Sequence, residues 1–191
     1  MSDSELEVVL FDWAGVLTSD GFADLSKYEK DFGIAKNALQ VAKNKHWLDL
    51  RIGEITEDEF WRKTFIDAGI GPADNFIEMV RKDVRDSHVP YESTFEIARI
   101  FKSKGMKVGI MSNTCKGWLT YWDNKYGLSQ LFNPMITSYE LGYAKPDGRY
   151  FSLATKRYKL EPYKTLFLDD QEQNVEAAKS AGFQAVLFRP Y

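Results

Sequence analysis

Val8-Val9-Leu10-Phe11-Asp12-Trp13-Ala14-Gly15-Val16-Leu17 sets how the rest of the chain is read. The apolar run reads as a fully buried strand, and Asp12 is a lone carboxylate at its end, where open α/β sheets keep their ligands and chemistry. Working outward, three further polar signatures each follow an apolar run or a turn. Ser112-Asn113-Thr114 follows residues 107–111, Lys145-Pro146-Asp147 follows Leu141-Gly142, and Asp169-Asp170 follows residues 165–168.

Between the first of these sites and the others, residues 22 to about 87 carry helix signals and no convincing strand. Thr56-Glu57-Asp58-Glu59 reads as a capping box opening a helix with Trp61, Phe65 and Ala68 on one face and Gly69 at its end. Pro72 opens another, with Phe76, Val80 and Val84 in register. From Val89 onward helices and strands alternate. The spacing predicts a helix from Glu92 to Lys104, a strand from Lys107 to Met111, a helix from Thr114 to Trp122 and one from Pro146 to Tyr158. A strand from Thr165 to Leu168, a helix from Asn174 to Ala181 and a strand from Ala185 to Phe188 follow. This alternation predicts an α/β protein, a Rossmann-like parallel sheet core with an inserted helical cap. The expected division is 1–17 and 89–191 for the core and 18–88 for the cap.

Composition agrees. The chain has 191 residues, 44% apolar and 15% aromatic, enough for one good core and a smaller second one. A net charge of -3 offers no basic field for nucleic acid, so no nucleic-acid partner is expected. Cys115 is the single cysteine, which excludes an intrachain disulfide. The N-terminal residues lack the pattern of a signal peptide, and no apolar stretch approaches the roughly 18 residues of a membrane span. A cytoplasmic protein without a membrane partner is the expectation.

Each polar signature alone is an ordinary cap or turn. Jointly, an Asp after a first apolar strand, Ser-Asn after a second, Lys-Pro-Asp later and Asp-Asp closing another resemble the four motifs of the haloacid dehalogenase (HAD) superfamily. The closer likeness is to its soluble phosphatases with a helical cap after the first motif, a group that includes glucose-1-phosphate phosphatases and the N-terminal domain of soluble epoxide hydrolase. Residues 51–61, 138–147 and 167–174 resemble that group's cap segment, third motif and fourth motif. The resemblance implies an Mg²⁺-dependent phosphatase acting on a small phosphorylated metabolite, such as a sugar phosphate, through an aspartyl-phosphate. It implies Asp12 as nucleophile, Lys145 as the lysine that offsets charge, and Ser112 and Asn113 on the phosphoryl oxygens. Asp12, Asp170 and the backbone carbonyl of Ala14 would ligate Mg²⁺, with Asp169 behind them or holding Lys145, and Asn174 in support. A carboxylate attacking a phosphoryl dianion needs such a cation and lysine, and Mg²⁺ takes oxygen ligands while keeping several waters.

One position departs from that pattern. The second Asp usual in the first motif, which protonates the leaving oxygen and activates water, is Ala14. Three readings stay open: a phosphatase working without that acid, a phosphonoacetaldehyde hydrolase-like enzyme, and a catalytically weak protein that binds phosphorylated ligands or regulates a partner. The second rests on the likeness of Asp12-Trp13-Ala14-Gly15 to that family and needs an imine-forming lysine from the cap, where Lys36, Lys43 and Lys45 are available. Haloacid dehalogenases proper fit poorly, because those metal-free enzymes lack the paired aspartates. His46 and His88 have no zinc spacing and read as surface or packing residues, although His46, beside Trp47, is placed to touch substrate from the cap. Cys115 reads as a small buried side chain, and Trp47, Phe60, Trp61 and Phe65 as the cap's own core.

Overall fold

Four of the five strands were expected from apolar runs bounded by turns, and all five pair in parallel. The computed structural model describes residues 6–21, 24–71 and 74–189. The strands are β1 (Val8–Phe11), β2 (Lys107–Ser112), β3 (Met135–Thr137), β4 (Thr165–Asp169) and β5 (Gln184–Leu187), in the spatial order β3-β2-β1-β4-β5. Helices α1 (Ser26–Asp31), α2 (Ala38–Arg51), α3 (Glu57–Asp67), α4 (Asp74–Asp86) and α5 (Glu92–Ser103) separate β1 from β2. Helices α6 (Lys116–Tyr126) and α7 (Leu128–Leu131) precede β3, α8 (Ser138–Leu141) and α9 (Gly148–Tyr158) precede β4, and α10 (Glu172–Ser180) precedes β5. This is an α/β, Rossmann-like fold, in which crossover helices return the chain so that each strand starts from the same edge.

The period-2 geometry of a strand sends successive side chains to opposite faces. Val9 and Phe11 of β1 join Val108, Ile110, Phe95 and Trp122 in one apolar cluster. Val8 and Leu10 join Met111, Phe151, Phe167 and Ala178 in the other. Because both faces are covered, β1 reads as an unbroken hydrophobic run rather than an alternating one. Burying each such side chain is worth about 1.5–3 kcal/mol.

Local signals in the helical insertion are realised. Thr56 accepts from the Glu59 N–H at 3.2 Å while Glu59 accepts from the Thr56 N–H at 2.7 Å, so the capping box forms and α3 starts where expected. Trp61 and Phe65 are fully buried, and Gly69 ends the helix at φ +81°. Pro72 lies outside the described residues, but Val80 and Val84 are buried on α4. On leaving and re-entering the sheet region, the chain pairs with itself. Ser19 N–H donates to Val89 O and Tyr91 N–H to Leu17 O, both at 2.9 Å, with an antiparallel bridge between Thr18 and Pro90.

Several boundaries differ from expectation. The helix expected from Thr114 begins at Lys116, because the Thr114 N–H donates to Ser138 Oγ and Cys115 is still extended. The helix expected from Pro146 begins at Gly148, where Asp147 caps it by accepting from the Arg149 N–H. The helix expected from Asn174 starts two residues earlier, at Glu172. Strand β3 was not expected at all. Among the described residues, no helix is long and apolar enough to cross a membrane.

Candidate active site

Strand β1 lies between β2 and β4, and Phe11 is in register with Ile110 on one side and Leu168 on the other. The next residues along, Met111, Asp12 and Asp169, therefore form one row across three adjacent strands, at the point where the strand order reverses. In open α/β sheets that crevice is where ligands bind.

Lys145 closes the row. Its ammonium donates to the Met111 carbonyl at 2.9 Å and to Asp169 Oδ2 at 2.6 Å, and lies 3.0 Å from Asp12 Oδ1. All three N–H groups of the ammonium thus have a partner. Asn113 fixes the segment that carries this lysine: it donates from Nδ2 to Lys145 O at 2.9 Å and accepts the Lys145 N–H at 2.8 Å. Asn113 also lines the cavity above the row, with its side-chain amide engaged by the Lys145 backbone. Ser112, at the end of β2, lines the same cavity.

The two adjacent aspartates differ in role. Asp169 accepts from Lys145, from the Gln171 N–H at 2.9 Å and from Asn174 Nδ2 at 3.0 and 3.1 Å. Burial pushes its pKa upward, but Lys145 and these hydrogen bonds outweigh that and hold it below the ordinary carboxylate value. Asp170 has no such support. Its Oδ1 is buried with no hydrogen-bond partner, and burial, together with the charge of Asp169, raises its pKa. Asp12 is 5% exposed, and its pKa is raised to about 7, chiefly by burial, with Lys145 opposing. Carboxylate oxygens of Asp12, Asp169 and Asp170 lie within 4.8 Å of one another. One lysine against three carboxylates leaves an excess of negative charge that asks for a cation.

Gly15 makes this approach feasible. It sits at φ +80°, and a Cβ there would lie 2.5 Å from Asp170 Cγ. Any side chain at position 15 would both strain the turn and displace Asp170 from beside the row.

Above the row is a cavity of about 220 Å³, lined by Asp12, Ala14 and Ser112 from below and by Lys43, Trp47 and Arg51 of α2 from the insertion. The α2 residues are spaced i, i+4, i+8 and so share one helix face. All five tryptophans of the chain line this cavity. Trp118 is held by Glu57, which accepts its indole N–H at 2.7 Å and also pairs with Arg85 of α4. Gly117 leaves room for that carboxylate, since a Cβ there would lie 2.2 Å from Glu57 Oε2.

Of the aromatic residues singled out in the helical insertion, Trp47 and Trp61 line the cavity, whereas Phe60 and Phe65 are core. His46 points elsewhere, to Asp67 at 3.2 Å, and Lys45 joins the same carboxylate. Cys115 is buried, and burial followed by the charge of Glu57 pushes its thiol up to about 12, so it is no nucleophile. His88 is not a surface residue: it is 5% exposed, lines the cavity and packs on Trp122 at 4.6 Å between ring centroids. Arg51, Asp20 and Trp118 also line the cavity and carry no site motif of their own in the sequence; Asp20 and Trp118 follow the first and second motifs closely, and Arg51 comes from α2.

Burial lowers His88 to about 4 from 6.5, against the Val84 carbonyl that Nδ1 contacts at 3.1 Å. Between those values the unfolded chain binds more protons than the folded one, so this histidine makes stability rise with pH from 4 to 6.5 and be lost on acidification. Its full effect is about 3 kcal/mol. Asp12, raised in the folded state, works in the opposite direction, so a single pH profile mixes the two. His88→Asn retains a donor toward Val84 but does not titrate, and the difference between variant and wild-type unfolding free energies at pH 7 and pH 4 isolates the histidine. An identical pH slope in both proteins would contradict this assignment.

A family model for haloacid dehalogenase-like hydrolases matches residues 6–182. The chain belongs to the haloacid dehalogenase-like hydrolase family. Among curated proteins, it is 30% identical over 101 residues to glyceraldehyde 3-phosphate phosphatase of Methanothermobacter thermautotrophicus, covering 51% of this chain and 44% of that one. It is 26% identical over 206 residues to bifunctional epoxide hydrolase 2 of Sus scrofa, covering 96% of this chain and 36% of that one. The chain thus spans less than half the length of either relative. Among solved structures, HAD family enzyme bt-2542 of Bacteroides thetaiotaomicron, in complex with magnesium and inorganic phosphate, superposes with a TM-score of 0.75. The two are 23% identical, with 97% of this chain and 94% of that chain covered. At that identity the likeness speaks for the fold.

Proposed function

We propose that this protein is an Mg²⁺-dependent phosphatase of small phosphate monoesters, with residues 1–17 and 89–191 as catalytic core and 18–88 as a cap over the site. The observation that carries this reading is the row Met111–Asp12–Asp169 closed by Lys145, next to the partnerless buried Oδ1 of Asp170. A buried carboxylate oxygen without a donor is costly unless a cation meets it. Hard oxygen donors suit Mg²⁺. Asp12, Asp170 and the Ala14 carbonyl would hold the ion, while Asp169, saturated by Lys145, Gln171 and Asn174, would not. When bound, Mg²⁺ would neutralise phosphoryl charge and keep the Asp12 carboxyl ionised at neutral pH.

Asp12 is then the nucleophile. Its carboxylate forms the new P–O bond as the ester oxygen leaves, and water later cleaves the aspartyl-phosphate. Lys145 lies against Asp12 and offsets the charge of the incoming dianion. Asn113 keeps Lys145 in place, and Ser112 donates to the phosphoryl group. The cavity, at about 220 Å³, is smaller than the roughly 300–1,000 Å³ of sites for drug-sized ligands, which fits a small metabolite. Closure by the cap excludes water during transfer.

Two measurements test the reading together. Millimolar Mg²⁺ should raise the melting temperature by about 5–10 °C at a hundredfold excess over Kd, an effect that Asp170→Ala removes. Mg²⁺ should also be required for release of phosphate from p-nitrophenyl phosphate. A melting curve that Mg²⁺ does not move, with turnover indifferent to the ion, would overturn the proposal.

One observation favours a second reading, a phosphonoacetaldehyde hydrolase-like enzyme. Lys43 lines the cavity and burial lowers its pKa, the condition an imine-forming lysine needs. Borohydride added with phosphonoacetaldehyde would then leave a reduced adduct on Lys43, readable by peptide mass. The phosphatase reading expects none.

A further inference from the structure

The cavity wall contributed by the insertion is chemically unlike the row of carboxylates below it. Lys43, Trp47 and Arg51 share one face of α2. The Lys43 ammonium lies 5.4 Å and the Arg51 guanidinium 5.5 Å from the centre of the Trp47 ring, so the indole is flanked by two cations. Burial lowers the pKa of each.

Among the described residues Arg51 meets the Trp47 ring and no carboxylate, and its Nε is buried with no acceptor. The indole N–H groups of Trp13 and Trp61, on the same cavity, are likewise buried without acceptors. A partly buried guanidinium whose Nε has no acceptor is costly to keep without an anion. Its fork matches a planar carboxylate, and its setting against an indole suits a flat ligand. Neither feature is required for phosphoryl transfer, whose charge Lys145 and a bound Mg²⁺ would meet at the opposite wall.

We infer that the substrate's leaving group carries a second anionic group, of carboxylate type, on a flat apolar body, and that Arg51 binds that anion beside Trp47. This rests on the phosphatase reading of the same cavity and narrows it to phosphate esters of hydroxy-carboxylic acids. A cavity of about 220 Å³ admits one ring or its aliphatic equivalent. Arg51 is a specificity residue, distant in role from the attacking carboxylate.

The test uses 4-carboxyphenyl phosphate and its neutral isostere 4-carbamoylphenyl phosphate. In wild type, the ratio of kcat/KM for the charged ester over the neutral one should exceed that in Arg51→Met by about 10-fold or more, the worth of a charge-assisted hydrogen bond. Arg51→Lys should recover part of it, and comparing ratios cancels the difference in leaving-group basicity. If both esters turn over with the same ratio in wild type and both variants, the inference fails while the phosphatase reading stands. If wild type hydrolyses neither, the phosphatase reading fails, and binding decides the inference. Tryptophan fluorescence reports on it, since all five indoles line the cavity. Tighter binding of the charged ester by about 10-fold, lost in Arg51→Met, supports it, and equal affinity overturns it. Should Arg51→Met not fold, Arg51→Lys and Arg51→Gln supply the comparison.

Discussion

Asp12→Asn should lower hydrolysis of p-nitrophenyl phosphate by on the order of 10⁴-fold or more, to the uncatalysed background, without loss of fold. The asparagine amide is not nucleophilic and cannot form the aspartyl ester. Stability should hold or rise. Burial raises the carboxyl of Asp12 to about 7, so its ionised form is unfavourable in the cation-free protein, and Lys145 retains Asp169 and the Met111 carbonyl as partners. Lys145→Ala should abolish activity nearly as completely but for a less clean reason. It leaves Asp12 and Asp169 facing each other in a buried site with no cation between them, and breaking a buried ion pair from one side typically costs about 3–5 kcal/mol. Asp12→Asn is therefore the decisive variant. Phosphate release measured in Mg²⁺, beside a melting curve, separates loss of chemistry from loss of structure. Equal rates in wild type and Asp12→Asn would refute the covalent route.

The row beneath this prediction was legible because strand ends announce themselves. An apolar run that stops at a carboxylate has one buried side and one wet end, so residues 8–11, 107–111 and 165–168 located Asp12, Ser112 and Asp169 within a residue of where they lie. Strand β3 escaped notice because it is three residues long, at the sheet edge, and follows Pro134, so it has neither the length nor the alternation that marks a strand. The parting of Asp169 from Asp170 was only half legible. Two adjacent carboxylates point to opposite sides of an extended chain, and which one Lys145 takes depends on the Asn113 bridge from another loop. The cavity wall was the least legible. Lys43 and Arg51 look like solvated charges on a helix of mixed composition, and only the packing of α2 on α3 turns their common face toward the row. For His88 the packing alternative holds, but a lone histidine in the sequence gives no sign of the indole it packs on.

Ala14→Asp should raise the rate for alkyl phosphates, up to about 10²–10⁴-fold, the range general acid–base catalysis supplies. Ala14 is half-buried and lines the cavity beside Asp12, so a carboxylate there would reach the space where the ester oxygen leaves. The backbone carbonyl assigned to Mg²⁺ stays in place, so the melting shift with Mg²⁺ should persist. The gain should follow the leaving group. An alkoxide needs a proton as the P–O bond breaks, whereas p-nitrophenolate departs readily without one, so p-nitrophenyl phosphate should gain less on the first step. Water attack on the aspartyl-phosphate should gain in both cases, because the new carboxylate can take its proton. A lysine-dependent phosphonate route would respond in the opposite direction. Its imine chemistry at Lys43 uses no acid at position 14, and a further negative charge beside Asp12 and Asp170 would hinder binding of the phosphonate dianion. Rates for an alkyl phosphate, p-nitrophenyl phosphate and phosphonoacetaldehyde, in wild type and Ala14→Asp, thus distinguish the two enzymes. If the variant folds, binds Mg²⁺ and still hydrolyses alkyl phosphates no faster, the methyl group at position 14 is not what limits this protein, and its turnover has to be traced to another group on the cavity wall.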